Sequence, residues 1–418
     1  MAEMKDSGIE WCGKIPTSWN VMPNKYVMHK KKEICPKYNG EDILSLTMDG
    51  VIVRDLDAGG KMPASFDGYQ RVKPNNLLMC LFDYDVTPRC IGLIQNEGLT
   101  SPAYSQFIMK NGNDARYYYY YYLMIDNTKE LLHLSKNLRH SFTEDQLGAI
   151  NTPVPLVKIQ KQIAKYLDQK CEDIDAVYSD IEKQIETLEE YKKSIITEAV
   201  TKGLDPDVEM KDSGSVYWKD IPVNWKLSDI KYLFEIVKRI AGKEGYDILS
   251  VTQKGLKIKD ISKNEGQIAE SYANYQFVYP TDYVMNHMDL LTGWVDCSKY
   301  FGVTSPDYRV FRLKDKKNNL NYYKYIMQCC YMDRIFYSLG QGVSNLGRWR
   351  LQTESFNNFQ IPVPPAKEQE QIAKYLDEKC IEIENIILDK QQQLETLEQY
   401  KKSLIYEYVT GKKEVSNE

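Results

Sequence analysis

The sequence repeats itself at a spacing of roughly 206 residues, and this internal duplication constrains the fold more than any other feature. Residues 4–8 recur as residues 210–214, and residues 100–102 (Thr-Ser-Pro) recur as residues 304–306. The strongest match joins 162–203 to 371–412, with 24 identities in 42 positions and no gap. The duplication predicts two copies of one unit, each with a variable head followed by a constant segment.

The constant segments have the heptad spacing of coiled-coil helices. About 45 residues of helix would form a rod of roughly 65–70 Å. The alternative is a long helix that packs only on its own head. The seam positions are Leu167, Ile174, Ile181, Leu188 and Ile195 in the first copy and Leu376, Ile383, Lys390, Leu397 and Leu404 in the second. A second seam would contain Val177, Tyr178, Ile185 and Tyr191, and Ile386, Ile387, Leu394 and Tyr400.

The order of the segments predicts how paired rods would run. Short links to the heads would force the two rods to run antiparallel, with Ile181 and Lys390 near a pseudo-twofold axis. A lysine at a seam position is either a device that sets the helix register or a side chain that reaches past a loose seam to water.

We therefore predict an α+β chain. Two mixed α/β globular heads would be separated by a long antiparallel two-helix coiled coil, with a pseudo-twofold internal repeat. The predicted boundaries are 1–155 for the first head, 156–203 for the first helical region, 204–365 for the second head, 366–412 for the second helical region and 413–418 for a tail.

Both heads contain short strand-like runs and one tyrosine-rich segment. The runs 42–47, 76–82, 245–252 and 282–288 have the composition of strands. Six consecutive tyrosines, Tyr117 to Tyr122, lie within 115–125, and the copy at 321–332 keeps helical spacing. An amphipathic helix with tyrosine on its packing face explains this segment, while a platform for stacking bases is the alternative.

Composition and charge narrow the class of protein. No apolar run reaches the roughly 18 residues that span a bilayer, and the start lacks the apolar core of a signal peptide. Nine scattered cysteines and four histidines indicate reduced thiols in a cytoplasm rather than disulfides or a metal site. The net charge is −5, yet residues 210–365 carry 21 basic and 16 acidic groups, so a regional positive field can still hold phosphates.

Catalytic signatures are missing from the sequence. We find no phosphate-binding loop, no cofactor-binding glycine loop, no methyltransferase motif of the Asn/Asp-Pro-Pro-aromatic type and no nuclease spacing. Two divergent heads on a rigid spacer suit duplex DNA, because its local twofold symmetry lets related heads read two half-sites.

The duplicated order of motifs resembles the specificity (S) subunits of type I restriction–modification systems. The resemblance rests on Trp11-x-Gly13-x-Ile15-Pro16-x-x-Trp19, on Thr100-Ser101-Pro102-x-Tyr104 with its copy Thr304-Ser305-Pro306-x-Tyr308, and on the Pro-x-Pro segments that lead into each rod. The second head lacks the glycine after Trp218, and the first has Ile159-Gln160 where the second has Glu368-Gln369. These departures concern local turn geometry.

This resemblance implies a non-catalytic chain with two target recognition domains and two conserved helical regions. It implies that the chain binds a split, asymmetric double-stranded DNA target and assembles with two methyltransferase (modification) subunits. In full complexes two restriction (translocase-nuclease) subunits would join them. S-adenosylmethionine for adenine-N6 methylation, ATP and Mg²⁺ would then be bound by the partners, with no cofactor in this chain.

Candidate DNA contacts are basic and polar residues near the repeat landmarks. The loop 340–350 is the strongest candidate, because it is polar, basic and rich in glycine. For any single residue, an ordinary solvated charge is the competing explanation. The candidates are Lys30, Lys31, Lys32, Arg54, Arg71, Lys73, Arg89, Arg139 and His140 in the first head, and Lys254, Lys257, Lys259, Lys263, Arg309, Ser344, Asn345, Arg348 and Arg350 in the second.

Two other classes of function compete with DNA recognition. A coiled-coil scaffold whose heads bind other proteins would explain the acidic rods and the missing catalytic motifs. It would not explain two heads with equal landmarks and different loops. An enzyme with an unrecognised site in the heads is the third class.

Overall fold

A computed structural model describes residues 3–58, 63–135, 140–260, 269–342 and 349–415. The chain forms two compact units, the first assembled from two separate parts of the sequence and the second from one continuous stretch. Unit 1 contains Met1–Ile181 and Gln391–Glu418, and unit 2 contains Glu182–Lys390. Each unit therefore combines one head with a part of each long helix.

The head of unit 1 has twelve described strands and three described α-helices, as well as a 3₁₀ turn at Glu130–Leu134. A four-stranded antiparallel sheet in the order β4-β11-β8-β9 forms its centre. The strands are β1 (Met4–Asp6), β2 (Lys14–Pro16), β3 (Asn20–Pro23), β4 (Met28–Lys31), β5 (Leu44–Thr47), β6 (Gly50–Val53), β7 (Gln70–Val72), β8 (Leu77–Met79), β9 (Ile91–Leu93), β10 (Gly98–Thr100), β11 (Ser105–Met109) and β12 (Asn151–Val154). The helices are α1 (Asn24–Val27), α2 (Ala115–Thr128) and α3 (Glu144–Ala149).

The head of unit 2 repeats this arrangement strand for strand. Its central antiparallel sheet has the order β16-β23-β20-β21. The strands are β13 (Met210–Asp212), β14 (Asp220–Pro222), β15 (Lys226–Asp229), β16 (Phe234–Val237), β17 (Leu249–Thr252), β18 (Gly255–Ile258), β19 (Gln276–Val278), β20 (Tyr283–Met285), β21 (Val295–Cys297), β22 (Gly302–Thr304), β23 (Arg309–Leu313) and β24 (Gln360–Val363). The helices are α5 (Ile230–Leu233), α6 (Leu320–Met332), α7 (Ile335–Ser338) and α8 (Thr353–Asn358).

The tyrosine-rich segments are packing helices, as the favoured interpretation of the sequence predicts. Helix α2 begins after Asp114, whose carboxylate accepts the N–H groups of Arg116 and Tyr117, and α6 begins after Asn319 in the same way. Five of the six consecutive tyrosines are buried, so α2 presents no base-stacking platform. Burial raises the pKa of Tyr117 and Tyr121 well above the usual value.

Two long helices, α4 (Val157–Lys202) and α9 (Ala366–Val409), occupy the heptad segments. Within unit 1, the rings of Tyr166 on α4 and Tyr408 on α9 lie 4.5 Å apart between centroids, and Lys401 Nζ lies 2.6 Å from Asp175 Oδ1. Rising residue numbers on one helix thus meet falling numbers on the other, so the two segments run antiparallel in this unit.

Unit 2 contains the complementary parts of the same helices. Lys192 on α4 forms an ion pair with Glu384 on α9, at positions equivalent to Lys401 and Asp175 in the repeat. A Cβ at Gly203, directly after α4, would lie 2.9 Å from a carboxylate oxygen of Glu368 in the first turn of α9. The helix segments in unit 2 therefore also run antiparallel.

The structure corrects part of the predicted second seam. Val177, Tyr191, Ile386 and Tyr400 are exposed rather than packed between helices. The burial of the first seam varies along each helix, and Leu188, Leu397 and Lys390 are only partly buried. The seam residues Leu167, Ile174, Ile181, Ile195, Leu376, Ile383 and Leu404 are buried.

The remaining composition-based expectations concern membranes and thiols. Among the described residues, no helix is long and apolar enough to cross a membrane. All nine cysteines are free thiols, and eight of them are buried.

Candidate nucleic-acid interface

The Thr-Ser-Pro-x-Tyr motif forms the same buttressed turn in both heads. In unit 1, Gln70 Nε2 donates to the carbonyl oxygens of Ser101 (2.9 Å) and Tyr104 (2.7 Å), and Thr100 Oγ1 donates to Leu44 O (2.9 Å). These contacts tie the turn to β7 and to the β5–β6 hairpin. The motif is therefore a structural joint that positions the neighbouring surface.

Unit 2 contains the same joint atom for atom. Gln276 Nε2 donates to Ser305 O (2.9 Å) and Tyr308 O (2.7 Å), and Thr304 Oγ1 donates to Leu249 O (3.0 Å). Buried side-chain amides that bond two carbonyls fix the backbone, because leaving any of these polar groups unpaired would be costly.

Three predicted basic residues of the first head lie around one buried amide. Gln106 Oε1 accepts the backbone N–H of Lys73, Gln106 Nε2 donates to Arg71 O, and Gln106 pairs with Lys31 across β11 and β4. The Arg71 guanidinium lies 2.8 Å from the Glu41 carboxylate, while the Lys73 side chain is exposed. Hydrogen bonding to Asn39 and Arg71 lowers the pKa of Glu41.

The other described candidates of the first head are dispersed. Lys30 lies 4.0 Å from Glu144, Lys32 is exposed, and Arg54 follows the β5–β6 hairpin. His140 Nδ1 lies 2.9 Å from Ser135 Oγ, and its other nitrogen lies 3.9 Å from Asp85 in the loop that also contains Arg89. The described candidates of the first head therefore lie on several separate elements.

Three of the described candidates of the second head lie on one hairpin. Lys254 occupies the exposed β17–β18 turn, Lys257 is exposed on β18, and Lys259 follows that strand. Arg350 is partly buried and its backbone pairs with that of Gln341. Arg139, Lys263, Ser344, Asn345 and Arg348, with most of the loop 340–350, lie outside the described residues.

The structure corrects the prediction that Arg309 is a surface DNA contact, because its side chain is buried inside the second head. It is 4% exposed, its guanidinium donates to Leu351 O (3.0 Å), and it lies 4.5 Å from the centre of the Phe356 ring. Burial lowers the pKa of Arg309 to about 10. Its position beside the repeated Thr-Ser-Pro-x-Tyr motif did not reveal which side of β23 faces the core.

Sequence reasoning missed an aromatic patch on the second head. The ring of Phe277 on β19 stacks 5.8 Å from Phe301 and lies 4.9 Å from Tyr246, and Tyr279 lies 5.2 Å from Phe301. Arg239 covers the Tyr279 ring at 4.9 Å while forming a two-point ion pair with Asp282. Aligning Gln70-Arg71-Val72 with Gln276-Phe277-Val278 in the sequence would have shown one member of this patch, because Phe277 occupies the position of Arg71.

Each head is locked to the start of its own long helix by one glutamine. In unit 1, Gln160 Oε1 accepts the N–H of Asp114 (2.8 Å) and Gln160 Nε2 donates to Pro155 O (2.9 Å). In unit 2, Gln369 makes the equivalent bonds to Asn319 N (3.0 Å) and Pro364 O (3.0 Å). One aspartate per helix adds a second contact, since Tyr120 donates to Asp168 in unit 1, as Tyr325 does to Asp377 in unit 2.

The Ile-Pro-x-x-Trp motifs form seats for the ends of the other long helix. In unit 1, a Cβ at Gly411 would lie 2.5 Å from Pro16 and 2.8 Å from Trp19, so only glycine fits against this motif. Tyr117 donates to Val409 O (2.8 Å), and Lys412 Nζ donates to Cys12 O (2.7 Å).

The seat in unit 2 receives the end of α4. Gly203 has a positive φ of 82° and a Cβ there would lie 3.4 Å from Trp225. Trp225 Nε1 donates to Glu368 (2.9 Å), whereas unit 1 has Ile159 at the position of Glu368. The altered residue therefore changes the anchor of the seat. The fit also differs, because a Cβ at Gly203 would have no atom of Pro222 within 4 Å.

Among the described residues, no group of three or more His, Cys, Asp or Glu side chains is arranged to hold a metal ion. The surface features described above are basic side chains, an aromatic patch and two helix seats.

The chain belongs to the family of the type I restriction modification DNA specificity domain, whose model matches residues 92–187 and 222–396. This finding confirms the resemblance that the duplicated motifs indicate.

Relatives and solved structures agree with this assignment. The type I restriction enzyme MjaVIII specificity subunit of Methanocaldococcus jannaschii is 26% identical over 285 residues, covering 64% of this chain and 63% of that protein. The match thus spans less than two thirds of that relative. The protein named as the putative type I restriction enzyme MjaX specificity subunit of the same organism is 27% identical over 290 residues, covering 65% of this chain and 61% of that protein.

Two solved structures share the fold across nearly the whole chain. A chain from a study of complex assembly and conformational transition of the type I R-M system has a TM-score of 0.68 at 12% identity, covering 94% of this chain and 98% of its own. The HsdS subunit of Thermoanaerobacter tengcongensis has a TM-score of 0.50 at 12% identity, covering 95% and 98%.

Proposed function

We propose that this chain is the non-catalytic DNA sequence-recognition subunit of a type I restriction–modification complex. Its two heads bind the two halves of a split, asymmetric duplex target, and its helices hold the subunits that modify and cut DNA. The proposal places the protein in the cytoplasm with its DNA target.

The observation that carries the proposal is that the heads share a framework and differ in surface. The Gln70 and Gln276 joints have the same hydrogen bonds within 0.1 Å. Around them, Arg71 with Glu41 in one head is replaced by Phe277 with Tyr246 in the other. Two readers of different half-sites need such a combination, because base contacts specify sequence while the scaffold only presents them.

The proposed mechanism is binding and positioning. Lysine and arginine side chains on the heads contact phosphates and set the register, and side chains at the groove edges select bases. A methyltransferase partner extrudes the target adenine, because a stacked base is inaccessible to chemistry. The hairpin with Lys254, Lys257 and Lys259 and the group of Lys31, Arg71 and Lys73 are the proposed first contacts.

The antiparallel helix segments support a continuous spacer. We infer that α4 and α9 pair along their length as one coiled coil about a pseudo-twofold axis. The equivalent ion pairs, Asp175–Lys401 and Glu384–Lys192, follow the repeat and fit such an axis. The length of the spacer would then set the distance between half-sites.

Exposed apolar side chains on the helices suit two copies of one partner. Val177 is 48% exposed and Tyr400 is 53% exposed in unit 1. Val177 follows Ile174 by three residues and Tyr400 precedes Leu404 by four, so each is turned roughly 40–60° from the seam in the same rotational sense. In an antiparallel pair this places both on one face, near the level of the Asp175–Lys401 ion pair.

The same docking pair recurs in unit 2. Ile386 is 39% exposed and Tyr191 is 51% exposed, at positions equivalent to Val177 and Tyr400. We therefore propose that two methyltransferase subunits bind these equivalent pairs and that two restriction subunits join the full complex. S-adenosylmethionine, ATP and Mg²⁺ belong to the partners in this proposal.

A head exchange tests the recognition role. Residues 20–150 are replaced by the corresponding head of another family member, and methylated sites are mapped by genome sequencing in cells that also express the modification subunit. One half of the target should change while the other half and the gap stay constant. A change in both halves would contradict independent heads, and methylation by the chain without a partner would contradict its non-catalytic role.

A docking variant tests the partner surface. Val177→Asp with Ile386→Asp should abolish co-purification of the modification subunit, because a carboxylate would be buried against an apolar partner. The control is Glu172→Ala with Glu378→Ala, two exposed helix positions that should leave assembly intact. Normal assembly of the aspartate variant would refute this docking surface.

A further inference from the structure

Both heads retain one exposed cationic patch that the packing of the fold does not require. In unit 1, Tyr26 on the short helix α1 is 56% exposed, and Lys25 Nζ lies 5.2 Å from the centre of its ring. In unit 2, Tyr232 on α5 is 68% exposed, and Lys231 Nζ lies 5.2 Å from its ring. The residues on either side of this Lys-Tyr pair differ between the copies.

A second lysine is held at the same place in each patch. Lys110 Nζ donates to Lys25 O (2.7 Å), and Lys314 Nζ donates to Lys231 O (2.6 Å). One carbonyl engages one of the three ammonium N–H groups, which leaves donors for a ligand. The ammonium is thereby held beside the Lys-Tyr pair in both heads.

The charges around the two patches are similar but not equal. Neither Lys25 nor Lys110 has an ion pair among the residues that the structure describes. Lys231 Nζ, in contrast, lies 2.9 Å from Asp229 Oδ2 and 2.9 Å from Asn358 Oδ1. Asp229 therefore offsets one of the lysine charges in the patch of unit 2.

The heads have diverged around these residues, so the retained side chains should bind something that is identical at both half-sites. The phosphodiester backbone of DNA meets that requirement, because its charge and spacing do not depend on sequence. Lysine ammonium groups and a tyrosine hydroxyl are also typical phosphate donors.

We propose that Lys25, Tyr26 and Lys110 in one head, and Lys231, Tyr232 and Lys314 in the other, bind DNA phosphates. This inference rests on the proposed function and adds to it a grip that is independent of sequence, separate from the diverged surfaces that select bases. These residues position the head and leave the choice of bases unchanged.

The test measures how DNA binding by the assembled complex depends on salt. Duplexes with and without the methylation target are titrated over a series of KCl concentrations. Each lost phosphate contact should reduce the slope of log affinity against log salt by about 0.9. Lys110→Gln with Lys314→Gln should lower the slope by about 2, and adding Lys25→Gln and Lys231→Gln by up to about 4. Affinity for both duplexes should fall by the same factor.

Matched variants distinguish the loss of a phosphate contact from a general loss of positive charge or of folding. Lys165→Gln with Lys374→Gln removes two exposed, equally duplicated charges from the long helices and should leave the slope unchanged. Lys110→Arg with Lys314→Arg should restore the slope. The Lys25→Gln change should cost more than Lys231→Gln, since Asp229 already offsets Lys231.

Three results would overturn the proposal: an unchanged slope, a loss confined to the target duplex, or weaker assembly with the modification subunit at unchanged DNA affinity. The last would identify a protein as the occupant of the patch. Failure of the proposed function is distinguishable, because the unaltered complex would then bind both duplexes equally or not at all.

Discussion

The β7–β10 pair of unit 1 and the β19–β22 pair of unit 2 have the same register but opposite surface chemistry. Arg71 and Glu41 form an ion pair on the first surface. Phe277 and Tyr246 form an aromatic contact at the same positions of the second. Both surfaces rest on the same glutamine joint, so the framework accepts either set of side chains without a change of backbone.

The junctions between head and helix behave in the opposite way. Gln160 and Gln369 make equivalent bonds, as do Asp168 and Asp377. At these positions the side chains that meet solvent have diverged, while the buried polar contacts of the joints and junctions persist because an unpaired partner would be costly. The junctions keep the heads in place, and the surfaces are free to change what they recognise.

The largest expected effect tests whether the two junctions are energetically equivalent. Leu167 and Leu376 are both fully buried against their own heads. Leu167→Ala and Leu376→Ala should each destabilise the local unit by about 2–5 kcal/mol. Hydrogen exchange measured separately on α2 and α6 reports each unit. A difference of more than about 2 kcal/mol between the variants would break the equivalence.

The next effect concerns the two helix seats, which differ at one anchor. Glu368→Ala should destabilise unit 2 by about 1–3 kcal/mol, because it leaves the Trp225 N–H without its acceptor. Glu368→Gln retains an acceptor and should cost less. Hydrogen exchange near the end of α4 measures both changes. Equal losses would show that the charge rather than the hydrogen bond matters.

Arg309 is a buried residue whose replacement by methionine is expected not to destabilise its unit. Its folded pKa of about 10 lies below the usual range of an arginine side chain, so protonation disfavours the folded state at neutral pH. This cost should decline as the pH rises above about 10. Arg309→Met should therefore leave unit 2 equally stable or more stable by about 1–2 kcal/mol at pH 7. The first head has Ser105 at this position.

Denaturant titration of wild type and the Met variant at pH 7 measures the Arg309 effect. Arg309→Ala is the comparison that loses packing and should be destabilised. A Met variant that is as unstable as the Ala variant would show that the guanidinium bonds to Leu351 and Thr353 outweigh the burial cost.

The smallest effect concerns the equivalent ion pairs between the long helices. Lys401→Ala and Lys192→Ala should each cost less than about 1 kcal/mol, because exposed ion pairs contribute little and are screened by salt. Thermal unfolding at low and high salt measures this loss. A larger loss in one variant, persisting at high salt, would show that one unit depends on its pair in a way that the other does not.

Several elements could be predicted because they depend on local spacing. The heptads that include Leu167 and Leu376 correspond to helices α4 and α9, and the run at Tyr117 corresponds to the packing helix α2. Strand-like runs such as 245–252 contain β17. Val177 and Tyr191, which are exposed, were mispredicted because heptad spacing marks a helix face without showing how much of that face the partner helix covers.

The candidate site was less predictable. Lys254 and Lys257 are exposed as expected, but Arg309 is buried. A charge on a three-to-five-residue strand faces solvent or core according to its cross-strand neighbours, which are distant in sequence. The Lys25–Tyr26 pair was detectable from its copy at Lys231–Tyr232, although only exposure distinguishes a retained surface from a retained core residue.

The sequence by itself determined the duplication, the two long helices and the family, because these depend on repeated spacing and motif order along the chain. Only the tertiary structure decided that each unit is completed by the end of the other helix. It also decided that Gln70 and Gln276 are joints and that Phe277 replaces Arg71 on one surface. These features depend on which distant residues meet, and such contacts are set by the packing of the whole unit rather than by any local pattern.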